Sequence, residues 1–358
     1  MHNKAPRITI THQKRLTGLL ILTVVLGSLL FSACPSPPAR SSETEFVLGT
    51  TITVTTYGNV PEDVVDAVFA RVREIEEKMS ISREDYTMTE LIAVNDAAGI
   101  GPVEVSEDTF EVVREAIEYS RISGGAFDVS VAPLVDLWGI GSGSAAIPAD
   151  AAIDDALRAV DYRNVELDPI AKTIYLTDPD MGIDVGGIAK GYAADEAARI
   201  LREAGVRHAL LDFGGNILTV GRKPDGTRWR IGIQVPDSSR GDYVGIAEVE
   251  DKSVVTSGTY ERYFIEDGVR YHHILDTETG YPVRNGLESV TIVTESSIRA
   301  DALSTAIFAM GAERGHEFVE SHPDIEALFI QSDQTLIFSS GMDEFFEITS
   351  SEFTRAQR

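Results

Sequence analysis

Apolar residues recur along this chain in two rhythms. Residues 61–79 read PEDVVDAVFARVREIEEKM, with Val64, Val65, Val68, Val72, Ile75 and Met79 on one side of a 3.6-residue turn, so the spacing predicts an amphipathic helix with Pro61 near its first turn. Residues 106–122, SEDTFEVVREAIEYSRI, repeat the pattern with acids in the first turn, where the helix dipole favours them. The β-branched stretch EFVLGTTITVTTYG at 45–58 predicts a strand broken at Gly49. Residues 123–143 read as loop, and a helix is expected near 148–160.

Two short strands at 164–168 and 173–178 lead into MGIDVGGIAKGYAADEAARIL at 181–201, expected as a strand running through glycines into a helix. Alanines 189, 193 and 197 give that helix a ridge of small residues suited to close packing on a sheet. Beyond it the chain is mostly strands, with a hairpin expected around Glu266-Asp267-Gly268, helices near 297–310 and 312–321, and two final strands. Interspersed helices with hairpin-like strand pairs predict an α+β fold with a mixed, largely antiparallel sheet. No repeat or linker follows residue 45, so one large domain, two-lobed at most, is expected over residues 45–350.

The first 33 residues are of another kind. Lys4, Arg7, Lys14 and Arg15 precede the apolar run LTGLLILTVVLGSLLF, then Ser32 and Ala33. This is the layout of a secretory signal peptide, with an uncleaved anchor helix as the alternative. Cys34, the single cysteine, allows no internal disulfide. LFSAC resembles a lipobox, so Cys34 is expected to be acylated, with residues 34–44 a flexible Pro/Ser-rich tether. The expectation is an exported lipoprotein, anchored at the periplasmic face of a bacterial inner membrane. Loss of residues 1–33 removes four of the 31 basic residues and none of the 57 acidic ones, leaving a net charge of −30. Such a surface excludes nucleic acid as a partner and requires a metal or local cations for any anionic ligand.

Four polar, glycine-rich stretches could carry chemistry. In GGAFDVS at 124–130, Asp128 taken alone reads as a turn residue. In DVGGIAKG, Asp184 and Lys190 flank Gly186 and Gly187; the loop fits neither the P-loop nor the dinucleotide fingerprint, and reads equally as a tight connection with a surface lysine. In YHHILDTETGYPV, adjacent residues face opposite ways, so only one of His272 and His273 can reach a shared site; His273 is the acid/base candidate. In SSIRADALSTAIFAMG, Asp301 and Thr305 lie four apart on one helix face and offer hard oxygens suited to Mg²⁺ or Ca²⁺. Dipole complementation and a back-bond within the helix are the alternatives there.

In order and spacing, Gly49-Thr50, EKMS at 77–80, GAFDVSVAPL, DVGGIAKGYAAD, DFGGNI, TSGTYER, HHILDTETGYP and ADALSTA together resemble the ApbE family of FAD:protein FMN transferases. The resemblance runs from about residue 46 to 311. It implies a T-fold-like architecture and an enzyme that cuts the FAD pyrophosphate with Mg²⁺. FMN passes through a phosphoester to a Thr or Ser of a target protein, expected to be a membrane-associated redox protein, and AMP leaves. It also implies that Leu48, Ala126, Phe127, Asp128, Asp184, Lys190, Ser257, His273 and Ile274 contact FAD. The Gly187 carbonyl, Asp301 and Thr305 would hold the metal, with His273 and Asp301 catalytic. Hydrolysis of FAD to FMN and AMP, or FAD binding without catalysis, are the alternatives. The chain departs from the family at Thr277 and Glu278, in place of Pro and Arg near the expected cofactor entrance, and at Thr259, in place of Asp.

Overall fold

Valine, isoleucine and threonine in alternation give the first element its form. Residues Arg40–Val47 (β1) and Thr50–Tyr57 (β2) pair as a hairpin, with hydroxyls facing each other across the strands at Ser42–Thr55 and Thr44–Thr53. The computed structural model describes residues 1–2, 39–238 and 241–356. After the hairpin come α1 (Glu62–Met79), α2 (Glu90–Asp96), β3 (Val103–Glu104), α3 (Glu107–Ile122), α4 (Ala132–Trp138), α5 (Asp150–Leu157), β4 (Val165–Asp168), β5 (Thr173–Leu176) and α6 (Ala189–Glu203). The strand-rich half holds β6 (Ala209–Phe213), β7 (Asn216–Val220), β8 (Trp229–Gln234), β9 (Tyr243–Val249), β10 (Ser253–Gly258), β11 (Tyr263–Glu266), β12 (Val269–His272) and β13 (Leu287–Thr294). The chain ends with α7 (Ser297–Met310), α8 (Ala312–Glu320), β14 (Glu326–Gln331), β15 (Thr335–Phe338), β16 (Phe346–Ile348) and β17 (Thr354–Arg355).

A nine-stranded sheet in the order β1-β2-β6-β7-β10-β13-β14-β15-β17 forms the backbone of the unit that begins at Ala39. All its pairs are antiparallel except β15–β17. Both faces of its central strands are buried, which explains their unbroken apolar runs. Val255, Ile292 and Phe329 face the core built with α1, α3, α6 and α7. Their neighbours Val254, Val293 and Leu328 face a second core, closed by the three-stranded sheet β16-β9-β8 through Trp229, Ile231 and Ile233. The fold is therefore α+β and antiparallel-dominated, as the pattern of segments predicts.

Four local expectations change. β1 reaches back to Arg40, into the stretch read as a tether, because the polar run Arg40–Glu45 pairs at a sheet edge where side chains stay wet. Residues 132–138 are helical, not loop; Pro133 in the first turn and the buried Leu134 and Trp138 set α4 without an amphipathic pattern. No strand forms at 181–185, apart from a single bridge at Gly182. There the Asn95 side chain brackets Ile183, accepting from its N–H (2.8 Å) and donating to its carbonyl (3.0 Å), and the Asp184 N–H bonds the Val129 carbonyl. The alanine ridge of α6 is buried as expected, but α1 and α8's neighbour α7 flank that helix together with β7, so it packs among helices as well as on the sheet. Cys34 and the apolar N-terminal run lie outside the described residues. No described helix is long and apolar enough to cross a membrane.

Candidate active site

The site begins with how α7 is held. It is buried on nearly every side, so the carboxylate of Asp301, 4% exposed, needs partners. The Gly191 N–H in the first turn of α6 donates to Asp301 Oδ2 at 2.9 Å, and Lys190 Nζ stands 3.6 Å from Oδ1. Asp195, one turn further along α6, accepts the Ser297 N–H (2.9 Å) and the Ile298 N–H (3.0 Å), capping α7 from outside its own sequence. Burial pushes the Asp195 carboxyl up, and those N–H groups offset it. Two acids on opposite helices, Asp195 of α6 and Asp301 of α7, thus lock the two helices together.

Thr305 lies one turn after Asp301. Its Oγ1 is 3.4 Å from the Ser257 hydroxyl of β10, which meets Ser304 at 2.8 Å. A Cβ built on Gly187 would stand 3.7 Å from Thr305 Oγ1 and 3.0 Å from the Phe127 ring, so a side chain there would press on that ring. Lys190 Nζ also donates to the Gly186 carbonyl at 3.2 Å. A cation is therefore already drawn to the oxygens gathered at this point.

The other expected residues surround the same space. Leu48 adopts φ 54° and Gly49 φ 65°, and the Leu48 N–H is pinned by Glu76 of α1 at 2.9 Å. Left-handed backbone at a bulky leucine is rare and costs energy, which marks a turn held in place by its surroundings. Asp184 accepts the Gly186 N–H at 2.6 Å, while desolvation pushes its carboxyl up. His272 is buried, with Nε2 bonded to the Val283 carbonyl at 2.8 Å; its neighbour His273 turns the other way. His273 Nδ1 sits 3.2 Å from the Arg262 carbonyl, an arrangement that makes Nδ1 the donor and leaves Nε2 as a lone-pair acceptor. Burial, then the Arg262 charge, pull the imidazole down to about 3, so it is neutral at physiological pH.

Leu48, Ala126, Phe127, Asp128, Asp184, Gly187, Lys190, Ser257, His273, Ile274, Asp301 and Thr305 all line one cleft of about 1270 Å³. A second cavity of about 180 Å³, bordered by Asn95, Ala132 and Asp136, holds none of them and is too small for a nucleotide. Asp128 is the member whose chemistry is most committed. Its Oδ1 takes the Ser130 N–H and hydroxyl, and its Oδ2 takes the Tyr162 N–H, so it clamps the 126–130 loop from within.

The ApbE family model matches residues 48–329, a span that contains every one of these cleft residues. The chain belongs to the ApbE family. A relative in Treponema pallidum named FAD:protein FMN transferase is 36% identical over 329 residues, covering 87% of this chain and 90% of its own. One of the same name in Klebsiella pneumoniae is 35% identical over 294 residues, covering 82% and 90%. Among solved structures, the ApbE protein of Thermotoga maritima superposes with a TM-score of 0.79 at 32% identity, covering 86% of this chain and 99% of that one. The flavin transferase ApbE of Vibrio cholerae gives 0.77 at 30%, covering 86% and 100%.

Two of the three positions where the sequence is expected to depart from the family fall outside the cleft lining. Thr259 is buried and donates to Glu288 Oε2 at 2.6 Å, while Glu278 is exposed in the 276–280 turn. Its neighbour Thr277 does line the cleft and donates to the Gly125 carbonyl at 2.6 Å, tying two cleft loops together. Glu278 thus does not place a negative charge among the cleft-lining residues. Sequence reasoning missed Asp195, Gly191 and Arg262. All three lie inside the motifs DVGGIAKGYAAD and TSGTYER, but the partners of the first two are about a hundred positions away and nothing local marks the third.

Proposed function

We propose that this chain is a Mg²⁺-dependent FAD:protein FMN transferase. The observation that carries the reading is the convergence, in a chain of net charge −26, of Lys190, Asp301, Thr305, the Gly187 loop and a neutral His273 on one dinucleotide-sized cleft. The names of its relatives support the same reading. Among the described residues no three His, Cys, Asp or Glu side chains cluster as a metal site. The donors on hand are one carboxylate, one hydroxyl and one carbonyl, all hard oxygens. They fit Mg²⁺, which commonly takes only one or two protein carboxylates and completes its shell with water and phosphate oxygens. Bound by Asp301, Thr305 and the Gly187 carbonyl, the ion would supply charge neutralisation on the pyrophosphate.

The chain's own groups account for the rest. Leu48, Ala126, Phe127, Asp184 and Ile274 line the space for FAD. The acceptor Thr or Ser hydroxyl approaches the FMN phosphorus, and His273 Nε2 takes its proton. The new phosphoester bond forms as the anhydride bond to AMP breaks. Incubating the protein with FAD, Mg²⁺ and an acceptor protein tests this. Flavin fluorescence covalently on the acceptor, with AMP released, is the expected result. FMN and AMP formed equally fast without acceptor supports a hydrolase, and tight FAD binding with neither product supports a carrier.

Because the His273 imidazole is held well below its usual 6.5, its base form persists as the pH falls through that value. The acid limb of kcat/KM, which reports the free enzyme, is therefore expected below pH 6. A limb centred near 6.5 that vanishes in His273→Gln contradicts the lowered imidazole, and a profile and rate unchanged in His273→Gln contradict its role as base.

Location is part of the same proposal: acylation at Cys34 would hold the enzyme beside membrane-bound redox acceptors on the outward face. The full chain is expected in the membrane fraction and Cys34→Ser in the soluble one. Membrane retention of Cys34→Ser refutes the lipid anchor.

A further inference from the structure

Among the described residues, three basic side chains, Lys190, Arg230 and Arg262, line the cleft, and two are already engaged. Lys190 faces Asp301 and the Gly186 carbonyl, and Arg230 is paired with Glu248. The third, Arg262, is exposed in the segment between β10 and β11. Among the described residues no hydrogen bond or ion pair engages its guanidinium, although this acidic chain pairs most of its other arginines. The side chain lies between two turns, with Nη2 3.6 Å from a Cβ built on Gly49 and Cδ 3.4 Å from one built on Gly141. Its backbone carbonyl accepts the His273 N–H at 3.0 Å and faces Nδ1 at 3.2 Å. The free cation and the candidate base are thus joined at one residue.

We propose that the Arg262 guanidinium is the pyrophosphate anchor of the cleft, gripping the substrate's anionic oxygens beside the imidazole that its own carbonyl orients. The inference rests on the transferase reading. A planar, permanently charged fork suits paired phosphate oxygens, and among the described residues no carboxylate pairs with Arg262 that binding would have to displace. Its field also reaches Asp184 and His273, two cleft-lining groups of neighbouring segments.

Substituting Arg262 leaves the carbonyl in place, so His273 keeps its orientation while the anchor is lost. The test titrates wild type, Arg262→Ala and Arg262→Lys with FAD, ADP and riboflavin in Mg²⁺ buffer at two salt concentrations. Arg262→Ala is expected to bind FAD and ADP about 10- to 100-fold more weakly, the range for a charge-assisted contact, with riboflavin changed less than about twofold. Arg262→Lys should fall between, and the salt dependence of FAD binding should flatten in Arg262→Ala. Unchanged FAD affinity in Arg262→Ala overturns the anchor, and so does an equal loss for riboflavin. Failure of the wild type to bind FAD refutes the transferase reading itself, and the anchor with it.

Discussion

Asp301→Asn is expected to lower Mg²⁺-dependent FMN transfer by about a thousandfold or more while leaving the melting temperature near that of the wild type. The asparagine keeps an oxygen for the Gly191 N–H, now 2.9 Å from Oδ2, and fits the same buried space. It loses the one carboxylate among the proposed metal donors. Several kcal/mol of charge stabilisation, at about 1.4 kcal/mol per tenfold, gives that size of loss. Asp301→Ala should lose activity equally and also stability, because the Gly191 N–H would be buried without a partner, at about 1–3 kcal/mol. AMP release across a Mg²⁺ titration, with thermal melts of both variants, separates the two effects. Full turnover in Asp301→Asn, or turnover in wild type that ignores a chelator, removes Asp301 from the metal site.

How far the sequence could be read depended on whether the signal was local. Helices α1 and α3 and the β11–β12 hairpin followed from apolar spacing and turn residues, since the burial of one face writes itself into the pattern. The cleft was legible too, because its motifs, at loops such as GGAFDVS and at the helix segments AKGYAAD and ADALSTA, cluster glycines, acids and hydroxyls that apolar spacing alone does not call for. Contacts made across the chain were not legible. Asn95 replaces a strand partner for Ile183, and Asp195 caps a helix about a hundred residues later. Arg262 reads as an ordinary surface arginine until the fold puts it on the cleft with no ion-pair partner among the described residues. Asp128 is compatible with both of its readings. Read alone it was a turn residue, and its hydrogen bonds to Ser130 and Tyr162 agree, even though it borders the cleft.

Gly191→Ala tests the joint on which the proposed metal site depends. Two terms oppose each other. Alanine in place of a helical glycine favours α6 by about 1 kcal/mol. Against that, the new Cβ would stand 2.3 Å from the Ser297 carbonyl oxygen, 2.6 Å from Ile298 Cα and 2.7 Å from the Ser297 carbonyl carbon. All three are backbone atoms of α7's first turn, fixed by the Asp195 cap, so no side chain can swing aside. Relief requires α6 and α7 to part, at the upper end of the roughly 1–3 kcal/mol typical of overpacking, or beyond it. The steric term wins, and a net loss of about 2 kcal/mol or more is expected in a denaturant melt. Parting the helices also lengthens the Gly191–Asp301 hydrogen bond and carries Asp301 and Thr305 away from Gly187. The surviving folded fraction should therefore need more Mg²⁺ for half-maximal turnover, with FAD affinity less affected. A variant as stable as the wild type would mean that helix propensity outweighs the contact and that α6 does not set the position of α7. Unchanged Mg²⁺ dependence in a destabilised variant would separate the joint from the chemistry, leaving the Gly191–Asp301 bond a matter of folding alone.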